Sequence, residues 1–130
     1  MIKFRFDIDP VAKGRPRFWN GRAVTPPKTR EFEKAIKTQV LDQYQGDKIE
    51  GAVSARITFF VARPKSVSEK KRPYPIVGAD LDNYIKSLID GVQNAGVVFD
   101  NDAQIIELIA SKKYSNAGAI HLDIYRYDND

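Results

Sequence analysis

The sequence contains no cysteine and only one histidine, one tryptophan and one methionine. Without cysteine the chain cannot form disulfide bonds or thiolate zinc sites, which agrees with a reducing cytosol. No run of apolar residues is long enough for a membrane-spanning helix, and the first residues do not resemble the start of a signal peptide. We therefore expect a soluble, cytoplasmic protein with no membrane partner and no small-molecule cofactor.

The size and composition predict one folded domain that covers residues 1–130. Of the 130 residues, 42% are hydrophobic and 11% are aromatic, which is typical of a folded chain. No internal repeat or linker divides the sequence. A domain of this size is small for an enzyme that must hold a large substrate alone, so dimerisation would help.

The net charge of +4 conceals an uneven distribution of charge along the chain. Residues 1–37 contain ten basic and four acidic residues, a net charge of +6, whereas residues 80–130 carry a net charge of −5. A basic front half joined to an acidic back half suits an enzyme that binds a polyanion and acts on it at an acidic site. Surface charges also fall unevenly by chance, so charge alone does not identify such an enzyme.

Four aspartates in two pairs form the most distinctive chemical feature of the chain: Asp80, Asp82, Asp100 and Asp102. A return strand through residues 97–99 would bring the two pairs together. Converging carboxylates without cysteine form an all-oxygen site that suits Mg²⁺ or Mn²⁺ rather than zinc or copper. The competing interpretation is that the first pair only caps a helix, which explains one carboxylate but not the whole set.

Apolar residues between the two pairs recur at steps of three and four, which predicts a helix with one buried face. Asp82 or Asn83 suits its start, and Gly96 suits its end because glycine readily adopts the left-handed conformation. Lys86 lies one turn after Asp82 on the same face, where it can neutralise carboxylates or hold a phosphate oxygen. We interpret Asp90 as solvated, although it can also pair with Lys86.

Alternating apolar residues predict several strands in the rest of the chain, and residues 27–44 have the spacing of a second helix. Thr25 or Thr29 is available to cap that helix. Asn20-Gly21 predicts a two-residue hairpin turn. The two C-terminal strands are expected to pair antiparallel around the turn at residues 115–118. The expected fold is α+β, with a mixed, largely antiparallel sheet of about four or five strands and two helices packed on it.

Two runs of the acidic region carry a resemblance to a known family: residues 80–86, Asp-Leu-Asp-Asn-Tyr-Ile-Lys, and residues 96–105, Gly-Val-Val-Phe-Asp-Asn-Asp-Ala-Gln-Ile. They resemble the RusA family of Holliday-junction resolvases, and residues 13–17 and 25–29 add a weaker likeness. Members are small dimeric, Mg²⁺-dependent endonucleases that are frequent in phages and prophages. Ala79 stands where some members carry a basic residue, so a DNA-gripping role of that position is not carried over.

The resemblance implies roles for individual residues of this chain. It marks Asp80, Asp82 and Asp102 as metal-binding carboxylates and Lys86 as the catalytic lysine. Asp100 is a further candidate ligand because it belongs to the second acidic pair. We expect Asn83 to support the carboxylates by hydrogen bonding. The implied cofactor is Mg²⁺, with Mn²⁺ as a substitute.

Two basic segments are candidates for DNA contact. The first interleaves arginines with Phe18 and Trp19, which can stack on an unpaired base or, alternatively, belong to the core behind a solvated arginine rim. The second is a proline-punctuated loop before Asp80 that can order on DNA. The DNA-binding candidates are Lys13, Arg15, Arg17, Arg22, Arg63, Lys65, Lys70, Lys71 and Arg72.

The function that the resemblance implies is resolution of four-way DNA junctions by paired nicks, in DNA recombination and repair. Paired nicks on opposing strands require two sites, so we expect a homodimer whose partner is branched DNA. Two alternatives remain open: a branched-DNA-binding module that does not cleave, and a metal nuclease that acts on flap or hybrid substrates.

Overall fold

A four-stranded mixed sheet with two helices against one face forms the body of the structure, a computed structural model that describes residues 1–128. A separate two-stranded hairpin projects from this body. The predicted α+β class, the sheet of about four strands and the two helices are confirmed. The elements are β1 (Ile2–Phe6), β2 (Arg17–Trp19), β3 (Arg22–Val24), α1 (Pro27–Gln43), β4 (Val53–Ala62), α2 (Leu81–Ala95), a 3₁₀ turn (Asp102–Gln104), β5 (Ile105–Ser115) and β6 (Ala119–Arg126).

The strand order in the sheet is β1-β6-β4-β5. Strand β6 pairs antiparallel with both β1 and β4, whereas β4 and β5 are parallel. The prediction that the two C-terminal strands pair with each other is therefore wrong, because β4 lies between them. The reason is topological: α2 carries the chain back along the sheet, so β5 starts beside the start of β4 and β6 pairs on the opposite side of β4.

The core lies between the helices and the facing side of the sheet. Alternate residues of β1, β4 and β6 point into it, as expected for a sheet with one covered face, and both helices contribute one apolar stripe. Each large apolar side chain that is fully buried stabilises the fold by about 1.5–3 kcal/mol. The largest fully buried side chains include Phe4, Phe6, Ile36, Val40, Phe59, Leu88, Val92, Phe99, Ile120, Leu122 and Ile124.

Helix α2 begins slightly earlier than the sequence indicates. Its N-cap is Asp80 rather than Asp82 or Asn83, so Asp82 lies in the first turn. The end is as predicted, since Gly96 adopts the left-handed conformation with φ 71° and its N–H bonds the carbonyl of Gln93. The start of α2 therefore carries both aspartates of the first pair.

Neither predicted threonine caps α1. The N-cap is Pro26, which cannot cap through its side chain, and Pro27 occupies the first turn. The Thr29 side chain is buried and its hydroxyl accepts a hydrogen bond from the Gly14 N–H at 2.9 Å. This bond fastens the segment before the hairpin to α1, and Thr29 does not cap the helix because α1 already begins at Pro27.

The chain returns after α2 through a bend and not through a strand. The predicted strand at residues 97–99 is reduced to an isolated bridge between Phe99 and Ile49, supported by a bond from the Ile49 N–H to the Val98 carbonyl at 2.8 Å. Val98 and Phe99 are fully buried, so hydrophobic burial rather than a strand ladder fixes the return.

Gly91 marks the closest approach of α1 and α2. A Cβ at this position would lie 2.8 Å from the Cβ of Ile36 and 3.1 Å from the carbonyl oxygen of Glu33. These distances are shorter than normal contacts between such atoms. The helices therefore reach their observed spacing only because residue 91 has no side chain.

We expect Gly91→Ala to lower the free energy of unfolding by about 1 kcal/mol, measured by urea denaturation. Alanine improves helix propensity by about 1 kcal/mol, but overpacking costs about 1–3 kcal/mol. The control is Gly51→Ala, because a Cβ there meets no atom within 4 Å. A Gly91→Ala protein as stable as the parent would contradict the close packing of the two helices.

Candidate active site

The carboxylates of Asp80 and Asp82 are exposed at the start of α2. Although Asp80 is the N-cap residue, its side chain makes no capping hydrogen bond. Within residues 1–128 neither carboxylate takes part in a hydrogen bond or an ion pair. The partial positive charge at a helix start stabilises carboxylates there, but this interaction leaves their oxygen atoms free to bind a ligand. Helix capping therefore does not explain Asp80, and both groups are accessible to a ligand.

The turn that carries Asp102 is held by the side chain of Gln104. The Gln104 Oε1 accepts hydrogen bonds from the Asp100 and Asn101 N–H groups, both at 3.0 Å. Its Nε2 donates to the carbonyls of Ile49 and Gly51, at 2.9 and 3.0 Å. One amide thus satisfies four backbone groups and fastens the turn to the segment that leads into β4.

A second set of contacts fixes Asp102 against α2. The Asp102 N–H donates to the Oε1 of Gln93 at 2.7 Å. The Asp102 carboxylate lies 3.7 Å from the Nζ of Lys86. The chain reversal after α2 thus brings a residue of the second acidic pair alongside the lysine that follows the first pair.

Lys86 belongs to a chain of alternating charges. Its Nζ lies 3.0 Å from the Asp90 carboxylate, which also lies 3.0 Å from the Nζ of Lys13. Lys13 in turn contacts Glu33 at 2.6 Å. The Asp90 side chain is only 18% exposed, so its interpretation as a solvated residue is wrong and the alternative pairing with Lys86 is confirmed. The ion-pair chain, in order, is Glu33, Lys13, Asp90, Lys86 and Asp102.

These ion pairs raise the pKa of both lysines. For Lys86 the main cause is the hydrogen bond to Asp90, and the charges of Asp90 and Asp102 raise the pKa further. For Lys13 burial lowers the pKa, but the bonds to Glu33 and Asp90 more than offset this effect. Both side chains are therefore ammonium cations at neutral pH in the structure described.

The predicted metal ligands do not form a compact cluster. Among the residues from 1 to 128, no group of three or more Asp, Glu, His or Cys side chains is gathered closely enough to hold a metal ion. Asp100 is 72% exposed and pairs with Lys48 at 2.6 Å, whereas Asp102 faces Lys86. The donor chemistry of Asp80, Asp82 and Asp102 fits a hard cation such as Mg²⁺, but the geometry does not show a preformed site.

Asn83 contacts the N-terminal segment through its backbone. Its carbonyl accepts a hydrogen bond from the Lys13 N–H at 2.9 Å. Nearby, the Ser87 hydroxyl, which is fully buried, donates to the Val11 carbonyl. The Asn83 side chain makes no hydrogen bond to Asp80 or Asp82 in the part of the chain that the structure describes, so its supporting role stays a prediction.

The basic loop between β4 and α2 is tethered through Tyr114. The guanidinium of Arg63 lies 4.3 Å from the centroid of the Tyr114 ring, and the Arg72 Nε donates to the Tyr114 hydroxyl at 2.9 Å. Ala79 lies further along the loop, and its carbonyl accepts a hydrogen bond from the Lys112 side chain on β5 at 2.8 Å. Because Ala79 directly precedes Asp80, this bond helps to fix the backbone at the start of the acidic site.

The DNA-binding candidates fall into two groups. The side chains of Lys13, Arg63 and Arg72 are engaged in the contacts above, so a phosphate would have to compete with those partners. The others are exposed, and their side chains have no partner within residues 1–128. This second group consists of Arg15, Arg17 and Arg22 on the hairpin and of Lys65, Lys70 and Lys71 on the loop.

Sequence reasoning missed several residues that hold the site together. Gln104 was part of the motif that suggested the family, but no sequence pattern indicated that its side chain makes four hydrogen bonds to the backbone. Glu33, Gln93 and Lys112 reach the site only through the tertiary fold. Nothing in the sequence pattern identifies such long-range partners.

Comparison with known proteins shows similarity to one family of endodeoxyribonucleases. The family model described as "Endodeoxyribonuclease RusA" matches residues 7–125. The "Uncharacterized protein YqaN" of Bacillus subtilis is 30% identical over 95% of this chain and 94% of its own length. The "Crossover junction endodeoxyribonuclease RusA" of Aquifex aeolicus is 31% identical over 76% of this chain and 67% of its own length.

We expect Gln104→Ala to lower the free energy of unfolding by about 2 kcal/mol, because four partly exposed hydrogen bonds are lost at about 0.5–1.5 kcal/mol each. Urea denaturation measures the change. The control is Gln39→Ala, since the Gln39 side chain makes no hydrogen bond in the described structure. An equal effect of both variants would refute the anchoring role of Gln104.

We expect Asp90→Asn to lower the pKa of Lys86, because the variant keeps the side-chain shape but removes the charge that stabilises the ammonium group. An NMR titration of labelled lysine side chains measures this. Asp42→Asn is the control, as the Asp42 carboxylate is exposed and has no partner within residues 1–128. A Lys86 pKa that does not change in Asp90→Asn would show that Asp90 does not hold the ammonium.

The pH dependence of stability follows from the same shifts. The ordinary pKa of both lysines is 10.5 and the folded-state values are higher. The part of the stability that comes from these two lysine shifts is therefore fully present just below pH 10.5 and is lost as the pH rises through the folded-state values.

Proposed function

Since the chain belongs to the endodeoxyribonuclease RusA family, we propose that it is a Mg²⁺-dependent endonuclease that resolves four-way DNA junctions by paired nicks. At the level of the family, it is a Holliday-junction-resolving endonuclease. The proposal adds the cation, the residues that carry the reaction, a homodimeric state and a role in recombination and repair.

The contact between Lys86 and Asp102 is the observation that carries the proposal. These residues come from separate segments of the family motif, yet their charged groups lie 3.7 Å apart. Asp82 lies one turn before Lys86 on the same helix, so these two side chains lie on the same face of α2. A purely structural ion pair would not require the further pair of uncompensated carboxylates at the start of α2.

The chemistry assigned to Lys86 follows from its protonation. Cleavage of a phosphodiester concentrates negative charge on the phosphoryl oxygens and on the leaving 3′ oxygen. A lysine with a raised pKa is a cation at neutral pH and can stabilise that charge. Asp90 acts as a positioning residue, because it holds the ammonium by a hydrogen bond and by charge.

The carboxylates of Asp80, Asp82 and Asp102 would hold the divalent cation. When bound, the cation supplies Lewis-acid activation of water and neutralises phosphate charge. Without a cation, exposed aspartates beside a phosphate would repel it. This repulsion argues against the alternative of a binding module that never cleaves, since such a module would gain nothing from the acidic pair.

The homodimer is proposed from the symmetry of the substrate. A four-way junction has nearly two-fold symmetry, and paired nicks require two active sites related by the same symmetry. A single chain of this size offers one acidic site. Two copies would therefore match the two opposing strands that are cut.

Cleavage assays on a matched set of substrates test the function. Labelled four-way junction, flap, linear duplex and RNA–DNA hybrid are incubated with the protein in Mg²⁺, Mn²⁺ or EDTA. We expect symmetrical nicks in the junction, dependence on the divalent cation and much slower cleavage of the duplex. Preference for the flap or the hybrid would favour the other metal nuclease, and binding without any cleavage would favour the non-cleaving module.

We expect Asp82→Asn to lower the rate of junction cleavage by at least about 100-fold, because a carboxylate needed for the cation is lost. Binding of the junction should persist or tighten, since a negative charge near phosphates is removed; a gel-shift titration in EDTA measures it. Asp42→Asn serves as the charge-matched control on α1. Cleavage by Asp82→Asn at the parental rate would exclude Asp82 from the site.

A further inference from the structure

Two adjacent aromatic side chains on the hairpin are almost fully exposed. Phe18 is 80% exposed and Trp19 is 73% exposed, so the interpretation that they belong to the core is wrong. We call residues 15–24, which include β2 and β3, the arm. Within residues 1–128 its two strands pair only with each other and form a sheet separate from the main one. Burial therefore does not account for these aromatic residues.

The arm has a defined shape. Asn20 and Gly21 both have positive φ angles, 51° and 76°, as the predicted two-residue hairpin turn requires. In the paired register Phe18 faces Ala23 and Trp19 faces Arg22. The aromatic residues thus stand at the tip of a hydrogen-bonded ribbon next to a cation.

The root of the arm lies beside the candidate active site. The N–H of Lys13 bonds the carbonyl of Asn83 in the first turn of α2, and the N–H of Gly14 bonds Thr29 on α1. These two bonds, together with the ion pairs of Lys13, fix the position where the arm leaves the body. A ligand held by the arm would therefore lie close to the start of α2.

The charge of the arm selects the kind of ligand. No acidic residue occurs between Asp9 and Glu31, whereas Arg15, Arg17 and Arg22 are exposed on the arm. A second copy of this chain would present the same positive charge, which disfavours contact between two arms. The combination of flat aromatic faces with cations fits nucleic acid, where bases stack and phosphates pair with arginine.

We propose that the arm is a base-stacking element: Phe18 and Trp19 stack on bases exposed at the branch point of DNA while the neighbouring arginines hold the flanking phosphates. This inference rests on the proposed function and adds the way in which branched DNA is recognised. A continuous duplex offers no free base face, because every base is stacked on its neighbours. The arm would therefore favour branched or unpaired DNA over linear duplex.

Trp19 provides a direct probe, since it is the only tryptophan in the chain. The intact protein is titrated in EDTA with a four-way junction or with a linear duplex of the same sequence, and tryptophan fluorescence and its quenching by acrylamide are recorded. We expect the junction to quench the fluorescence and to protect Trp19 from acrylamide. Duplex bound to the same extent should do neither. Junction binding that leaves Trp19 open to acrylamide would overturn the proposal.

Variants of the arm provide a second test. We expect Trp19→Ala to weaken junction binding about tenfold and to leave duplex binding unchanged, whereas Trp19→Phe should retain most of the affinity. Tyr127→Ala is the control, because Tyr127 is also an exposed aromatic residue, at 47%, but lies outside the arm. Thermal stability should not change, as Trp19 is not part of the core.

The remaining outcomes separate the arm from the function. If Trp19→Ala lost the same affinity for junction and duplex, Trp19 would make a general contact with DNA and base stacking would be refuted. A change of oligomeric state in that variant, measured by sedimentation, would make the arm a contact between copies. If the protein cut junctions while Trp19→Ala bound them as tightly as the parent, only the proposal about the arm would be refuted. A protein that neither binds nor cuts junctions would refute the proposed function as well.

Discussion

The carboxylate of Asp90 is the contact on which the candidate site depends. It lies 3.0 Å from the ammonium groups of both Lys13 and Lys86, so it joins the segment before the arm to α2. Through Lys13 it also reaches Glu33 on α1. Because the group is mostly withdrawn from water, its attraction for the two lysines is screened less than at an open surface. One charge thus raises the pKa of Lys86 and helps to hold the segment from which the arm projects.

The site combines satisfied and unsatisfied polar groups in different places. Gln104 and Gln93 hold the Asp102 turn by hydrogen bonds, and Lys112 holds the backbone before Asp80. The carboxylates of Asp80 and Asp82, by contrast, have no partner in the described chain. The carboxylates of Asp80 and Asp82 can accept a ligand without losing an existing contact, whereas the carboxylate of Asp102 already lies 3.7 Å from the Lys86 ammonium group.

The sequence predicted features that depend on local chemistry. The end of α2 at Gly96 and the turn at Asn20-Gly21 follow from backbone conformations that few residues adopt, and both are confirmed. The pairing of the last two strands was wrong because alternation shows which face of a strand is buried but not which strand lies beside it. Asp90 was misread because Lys13, its second partner, lies far away in the sequence. The metal ligands and DNA contacts remain predictions, as they depend on a ligand that draws the groups together.

The missing side chain at residue 91 has an electrostatic consequence. Gly91 lets α1 approach so closely that the backbone carbonyl of Glu33 lies 3.1 Å from where a Cβ would be, and its neighbour in sequence is Asp90. The separation of the two helices therefore fixes how far apart Glu33 and Asp90 stand and whether one ammonium can bridge them. The close approach at Gly91 thus lets one ammonium group, that of Lys13, contact a carboxylate on each helix, at 2.6 Å and 3.0 Å.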